Sequence, residues 1–209
     1  MLNWILMGDI IDSRKENAVL LQQEFAKLID QINQDFADDL LSPLTITLGD
    51  EFQCVVKNLK ALVEILIKLE EQKWSLNCPV NLRYSLGYGE ISTPINSEIA
   101  YGMIGSGLMK VRESLTELKE EEDRVVIIGE VLRREELKLA LDLFLELQQS
   151  WKWKDRAIIS GYFLTKDYKQ VAKTMEKDVS LIWRRFKSLA FKSYQKRKRL
   201  VKLISEDVS

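Results

Sequence analysis

The sequence predicts an α+β protein: a βαββαβ core of the ferredoxin-like or palm arrangement over residues 1–133, then an all-helical region over residues 134–209. Three observations carry that expectation. Short apolar or alternating runs, separated by amphipathic stretches, fill the first part. No proline follows Pro94 and only one glycine, Gly161, follows Gly129, so the second part reads as helix. Charge divides in the same direction. Residues 151–209 carry 16 Lys/Arg against 6 Asp/Glu, whereas the first 150 carry 15 against 26. One end would attract a polyanion and the other would repel it.

The elements follow in order. Leu2–Ile11 is mostly apolar and reads as a buried strand that ends in a polar loop. From Glu16 to about Leu40, Leu20, Leu21, Phe25, Leu28, Ile29 and Ile32 recur at helical spacing, and Pro43 marks the exit. Leu44–Leu48 alternates as a strand does. Gly49-Asp50 is a hairpin turn, and Phe52–Val56 is the returning strand. Leu59–Leu69 is a second amphipathic helix, and Val80–Gly87 a further strand. A loop bearing Gly and Ser leads to a helix near Ile104–Leu118, and Arg124–Ile128 is a short fifth strand. From Leu132 on, Leu137, Ala140, Leu141, Phe144, Leu145 and Leu147 form a helical stripe. Trp151–Leu164, Tyr168–Met175 and Val179–Ile204 are expected helices. The strings KEEEDR and KRKR read as local charge runs.

With 46% apolar and 30% charged residues the chain can build an ordinary core. No apolar run reaches the ~18 residues of a membrane span. The start lacks a basic n-region with a small-residue cleavage site, so a cytoplasmic protein without a membrane partner is expected. The 2 cysteines, Cys54 and Cys78, make no disulfide framework and read as packing residues. Histidine is absent, which excludes Ser-His-Asp and Cys-His nucleophilic sites and His-containing zinc sites. Any metal would be a hard cation held by carboxylates, such as Mg or Mn.

Two acidic motifs stand out. GDIIDSR places Asp9 at the end of the first strand and Asp12 three residues on; TLGDEFQ places Asp50 and Glu51 at the tip of the hairpin. In a βαββαβ sheet the first and third strands are central neighbours, so Asp9 and Asp50 should approach each other. Adjacent carboxylates repel unless a cation lies between them, and a divalent ion there could orient phosphoryl oxygens. The plainer alternatives are an Asp9 helix cap and an ordinary Asp50 turn. Asp12, Ser13, Arg14 and Glu51 are candidate metal or phosphate neighbours, with Ser13 alternatively an N-cap. Arg83 is expected to pair with Glu51 or Glu90. The glycines of GMIGSG either admit a ligand or merely turn the chain.

Strand–Asp–Ile, helix, then strand–Leu-Gly-Asp–strand resembles the class III nucleotide cyclase palm, and RYSLGYGEIS resembles that family's next core strand. The resemblance implies that Asp9 and Asp50 bind metal. It also shows departures. The base-selecting position is Ile46, and the transition-state positions fall on Ser106 and Lys110, with Arg112 close enough to substitute. Lysine lacks the guanidinium fork. Lys110 and Arg112 are therefore the catalytic candidates of a palm whose metal end is kept and whose base-reading end is not. Taken with the helical C-terminal end, the chain resembles the SatD family over nearly its whole length.

The segment DYKQVAKTMEKDVSLIWRRFKSLAFKSYQKRKR has helix-turn-helix spacing. Val171, Met175, Val179, Ile182 and Phe186 would pack the helix pair. Glu176 stands where the motif often has glycine, in a turn that would be one residue longer. Ser180, Arg184, Arg185 and Lys187 on the second helix, and Lys196, Arg197, Lys198 and Arg199 beyond it, are the candidate DNA contacts. Trp151, Trp153 and Trp183 read as core anchors. The leading expectation is a DNA-binding regulator whose palm binds a metal–nucleotide or other phosphate ligand. The alternatives are a metal-dependent cyclase or other phosphoryl-transfer enzyme, and a protein-interaction scaffold without ligand. Cyclase palms pair head to tail and helix-turn-helix readers commonly bind as dimers, so a homodimer is also implied.

Overall fold

The first strand sorts its side chains by parity, and this decides the layers. In β1 (Leu2–Ile10) Leu6 and Ile10 enter the larger buried cluster, while Ile5 and Met7 enter a smaller one on the opposite face of the sheet. The structure is a computed structural model that describes residues 1–11, 18–47 and 49–206. After β1 come α1 (Ala18–Asp35), β2 (Leu40–Ile46), β3 (Glu51–Val56), α2 (Leu59–Gln72), β4 (Leu82–Glu90), α3 (Ser106–Glu117) and β5 (Val125–Ile128). The strands form one sheet in the order β2-β3-β1-β4-β5, antiparallel except for the β4–β5 pair. The first part is thus the expected βαββαβ palm with one added helix and strand.

Helices α1 and α2 cover the face that Leu6 and Ile10 enter, with Phe25, Ile32, Leu62 and Leu66 fully buried there. Helix α3 covers the other face through Leu108, Val111 and Leu115. It lies very close to β4 because glycines meet at the crossing. A Cβ on Gly87 would fall 2.2 Å from Val111 Cγ2, and one on Gly89 would fall 2.6 Å from Gly107 Cα. Gly105 and Gly107 of GMIGSG therefore serve helix–sheet packing.

The remaining helices are α4 (Arg134–Gln149), α5 (Arg156–Thr165), α6 (Tyr168–Thr174), α7 (Val179–Ser188) and α8 (Phe191–Glu206). The larger buried cluster runs without interruption from β1 into Val201 and Ile204 of α8, so it crosses residue 134. Trp151 sits at the junction, 5.8 Å from the Trp74 ring and 5.1 Å from Phe191. Tyr194 Oη donates to Glu71 Oε1 at 2.6 Å, and Lys198 Nζ reaches the same oxygen at 2.6 Å.

A second buried polar cluster ties α2 to β4 and to the chain entering β5. Glu70 is fully buried and accepts from Arg124 Nη2 at 2.6 Å, Lys73 Nζ at 2.7 Å and Tyr84 Oη at 2.8 Å. Burial alone would raise its carboxyl pKa; Arg124 and Lys73 outweigh burial and hold it below its ordinary value. Burial brings the Lys73 ammonium down to about 8 against the pull of Glu70.

Three of the boundaries that differ from the sequence reading have a visible cause. Helix α1 ends at Asp35 because the Phe36 carbonyl accepts from the amides of Asp39 and Leu40, closing a turn. Strand β2 begins at Leu40 and contains Pro43. It lies at the sheet edge, where its register against β3 shifts twice, and an edge strand tolerates the missing donor. The expected helix over 179–204 breaks at Leu189-Ala190, with Ala190 at φ 53°. There Trp151 Nε1 captures the Leu189 carbonyl at 2.8 Å.

Candidate functional site

Pairing register sets the site. Asp9 lies opposite Glu51 on β3 and opposite Arg83 on β4, so the three side chains form one row across the central strands. The row is on the α3 face, because Asp9 continues the parity of Ile5 and Met7. The Ile10 amide donates to the Asp50 carbonyl at 3.1 Å, which fixes the hairpin tip beside the end of β1. The structure thus brings Asp9, Asp50 and Glu51 together. Asp12, Ser13 and Arg14 lie outside the described residues.

Cations surround the row. Arg83 Nη1 is 3.2 Å from Asp9 Oδ2, so Arg83 pairs with Asp9 rather than with Glu51 or Glu90. Lys119 Nζ is 3.3 Å from Asp9 Oδ2 and 3.1 Å from Glu51 Oε1. Arg112 Nη1 is 3.1 Å from Glu51 Oε2, and its Nη2 donates to Gln53 Oε1 at 3.1 Å. Asp9 is 4% exposed. Burial raises its carboxyl pKa, Arg83 and Lys119 oppose the rise, and the Asp50 charge adds to it. Burial works to lower the Lys119 ammonium, but its bonds to Glu51 and Asp9 prevail and hold it above its ordinary value.

Lys119 and Arg124 were hidden in the sequence. They are the two ends of the KEEEDR string, and each anchors a different ion cluster. The signal was position: Lys119 follows the helix that carries Arg112, and Arg124 directly precedes a buried strand.

Lys110 and Arg112 part company. Arg112 joins the row, whereas Lys110 lines a cavity of about 460 Å³ with Gly87, Glu90, Ser106 and Gly129.

Among the described residues no three His, Cys, Asp or Glu side chains converge as a ligand set for a metal ion. Asp9 and Asp50 are near enough for their charges to repel, both offer hard oxygens, and an ammonium is already held between Asp9 and Glu51. Such a place attracts a cation. Two carboxylates suit an ion that completes its shell with phosphate oxygens and water, as Mg or Mn does.

The basic candidates divide into two groups. Arg185 Nε donates to Asp155 Oδ1 at 2.7 Å, Arg197 donates to the Leu143 carbonyl, and Lys198 pairs with Glu71. These three hold helices to one another or to the palm. Ser180, Arg184, Lys187, Lys196 and Arg199 are exposed. Ser180 also donates to Asp178, the α7 N-cap. Trp183 is 43% exposed, not a core anchor, and Lys187 Nζ lies 5.0 Å from its ring centroid. Val179 is likewise exposed, whereas Val171, Ala172, Ile182 and Phe186 are buried between α6 and α7. Glu176 in the connecting turn adopts φ 52°, the left-handed conformation that favours glycine. Among the described residues no helix is long and apolar enough to cross a membrane.

A sequence model described as the SatD family matches residues 4–204. No curated protein matches the sequence significantly. Similar solved structures include a bacterial light-regulated adenylyl cyclase, at 10% identity and a TM-score of 0.46 over 62% of this chain and 43% of that one. The match therefore spans less than half of that longer chain. Two others are the catalytic core of a rhodopsin-guanylyl cyclase with converted specificity in complex with ATPαS, and the guanylate cyclase domain of RhGC from Catenaria anguillulae in complex with GTP. The first has 13% identity and a TM-score of 0.42 over 60% of this chain and 76% of its own. The second has 13% identity and a TM-score of 0.42 over 60% of this chain and 77% of its own.

Proposed function

The chain belongs to the SatD family, and from that premise we propose that it is a cytoplasmic DNA-binding regulator whose palm holds a phosphate-bearing ligand, a nucleotide foremost, through a divalent cation. One observation carries the DNA side. Ser180, Trp183, Arg184 and Lys187 share an exposed stripe of α7 at helical spacing, while Arg185 on the flank is withdrawn into a pair with Asp155. In this reading α6, its four-residue turn and α7 act as a helix-turn-helix. Arg184 and Lys187 reach phosphates or guanine edges, and Lys196 and Arg199 add phosphate contacts.

On the palm side, Asp9 and Asp50 would hold Mg or Mn. The bound ion would neutralise phosphoryl oxygens. Arg112 stands beside Glu51 as the residue placed to meet a remaining phosphate charge. The palm at residues 1–133 and the helices at 134–209 are read as two functional parts that share one buried cluster. A change at the palm therefore has a packed route to the basic helices.

The test uses the full chain, because the buried cluster crosses residue 134. Labelled duplex DNA is titrated at several salt concentrations. Affinity that falls linearly in log–log against salt supports the reading; no affinity at low salt removes the DNA claim. Calorimetry with Mn and nucleoside triphosphates tests the palm, with Asp9→Ala as the variant that should lose binding. Turnover of a triphosphate that Asp50→Asn abolishes would replace the regulator reading with an enzyme.

A further inference from the structure

Among the described residues, only Lys119 is seen to bridge Asp9 and another carboxylate of the palm rim, Glu51. Arg83 rises from β4 at 12% side-chain exposure and contacts Asp9. Arg112 contacts Glu51 and Gln53. Lys119 touches Asp9 Oδ2 at 3.3 Å and Glu51 Oε1 at 3.1 Å, from the 3-10 turn Leu118–Glu120 that follows α3. Its side chain is 37% exposed, so its four-carbon stem has open solvent to swing into.

We propose that Lys119 sets the affinity of the palm for divalent cations: its ammonium is a tethered competitor that an arriving ion must displace from Asp9. This rests on the metal-binding reading of the palm. Asp9 is nearly sealed from water, so its charge is matched at every stage: by Arg83 and Lys119 before an ion binds, and by Arg83 and the ion afterwards. A lysine does this without geometric demand, since an ammonium is a compact point charge; an arginine fork would lock the carboxylate more firmly. Displacement frees Lys119 from both carboxylates, while Arg112 keeps its hold on Glu51.

The experiment is calorimetry of the full chain with Mn²⁺ alone at neutral pH, on wild type, Lys119→Met, Lys119→Arg and Lys119→Met/Asp9→Asn. Two partly exposed ion contacts are worth about tenfold in an equilibrium constant, so Lys119→Met is expected to bind Mn²⁺ about tenfold more tightly than wild type. Lys119→Arg should show no such gain, and adding Asp9→Asn should abolish the gain. Equal affinity in wild type and Lys119→Met overturns the competitor role and leaves the metal reading standing. Tighter binding in Lys119→Arg as large as in Lys119→Met also overturns it, because charge would then be irrelevant. Absence of binding in all four proteins overturns both.

Discussion

Arg124→Met is expected to be among the costlier single substitutions in the palm. The change keeps the stem and removes the charge. Glu70 then stays fully buried with Lys73 as its remaining cation and Tyr84 as its remaining neutral donor. Removing one partner of a buried ion pair costs about 3–5 kcal/mol. Because Lys73 remains, the lower end applies, about 3 kcal/mol. In a chain of this size that lowers Tm by about 6–12 °C. The pH dependence gives a second readout. In wild type, Glu70 has a folded pKa below its ordinary value, so its stabilisation is present above that ordinary value and fades as pH falls through the lowered one. In the variant the largest opposing charge is gone and burial prevails, which reverses the sign. The stability gap between the two proteins should therefore narrow on acidification through the carboxylate range. Urea unfolding at neutral and mildly acidic pH measures both. A loss under about 1 kcal/mol, the range of a surface pair, or a gap that widens with acid, would refute the reasoning.

Four other outcomes follow from the structure. Burial raises the Asp9 carboxyl pKa above its ordinary value despite Arg83 and Lys119, so ionising Asp9 costs more in the native state than in the unfolded one; Asp9→Asn should raise the Tm of the metal-free chain, and a lower Tm contradicts this. Arg184→Ala and Lys187→Ala should each weaken DNA binding and reduce the salt slope by about one. Arg197→Ala and Lys198→Ala should instead lower Tm and leave that slope unchanged. Glu176→Gly should stabilise the chain by up to about 1 kcal/mol, because glycine relieves the left-handed strain and gives part of it back as unfolded-state entropy. Urea midpoints check it.

The palm was legible because its signals are local. The apolar run Leu2–Ile11, the Gly49-Asp50 turn and the apolar stripe of α2 each announce one element, and the βαββαβ arrangement supplies the neighbours of the first strand. The meeting of Asp9 with the hairpin tip was legible for the same reason. What escaped was tertiary. The break between α7 and α8 carries no glycine or proline; it depends on an indole 38 residues away that takes the Leu189 carbonyl. Pro43 looked like a terminator because edge position and register shifts cannot be read from one strand alone. Lys119 and Arg124 looked like solvated charge, since nothing local separates them from the four acidic residues between them. The partition of the basic tail was hidden likewise. Arg197 and Lys198 sit beside Lys196 and Arg199, and only the packing of α8 against α4 and α2 decides which charges turn inward.

Helix α8 seals the outer side of α2 with Tyr194, Val201 and Ile204, and supplies the hydroxyl and ammonium that meet Glu71. A ribosome delivering this chain lays down the whole sheet long before that seal exists. Until residues 191–206 emerge, the nascent palm carries an uncovered apolar flank and a carboxylate whose neutralising partners have not been synthesised. Closure of that flank therefore waits on residues 191–206, and the interval before it is when a holding chaperone would find something to grip.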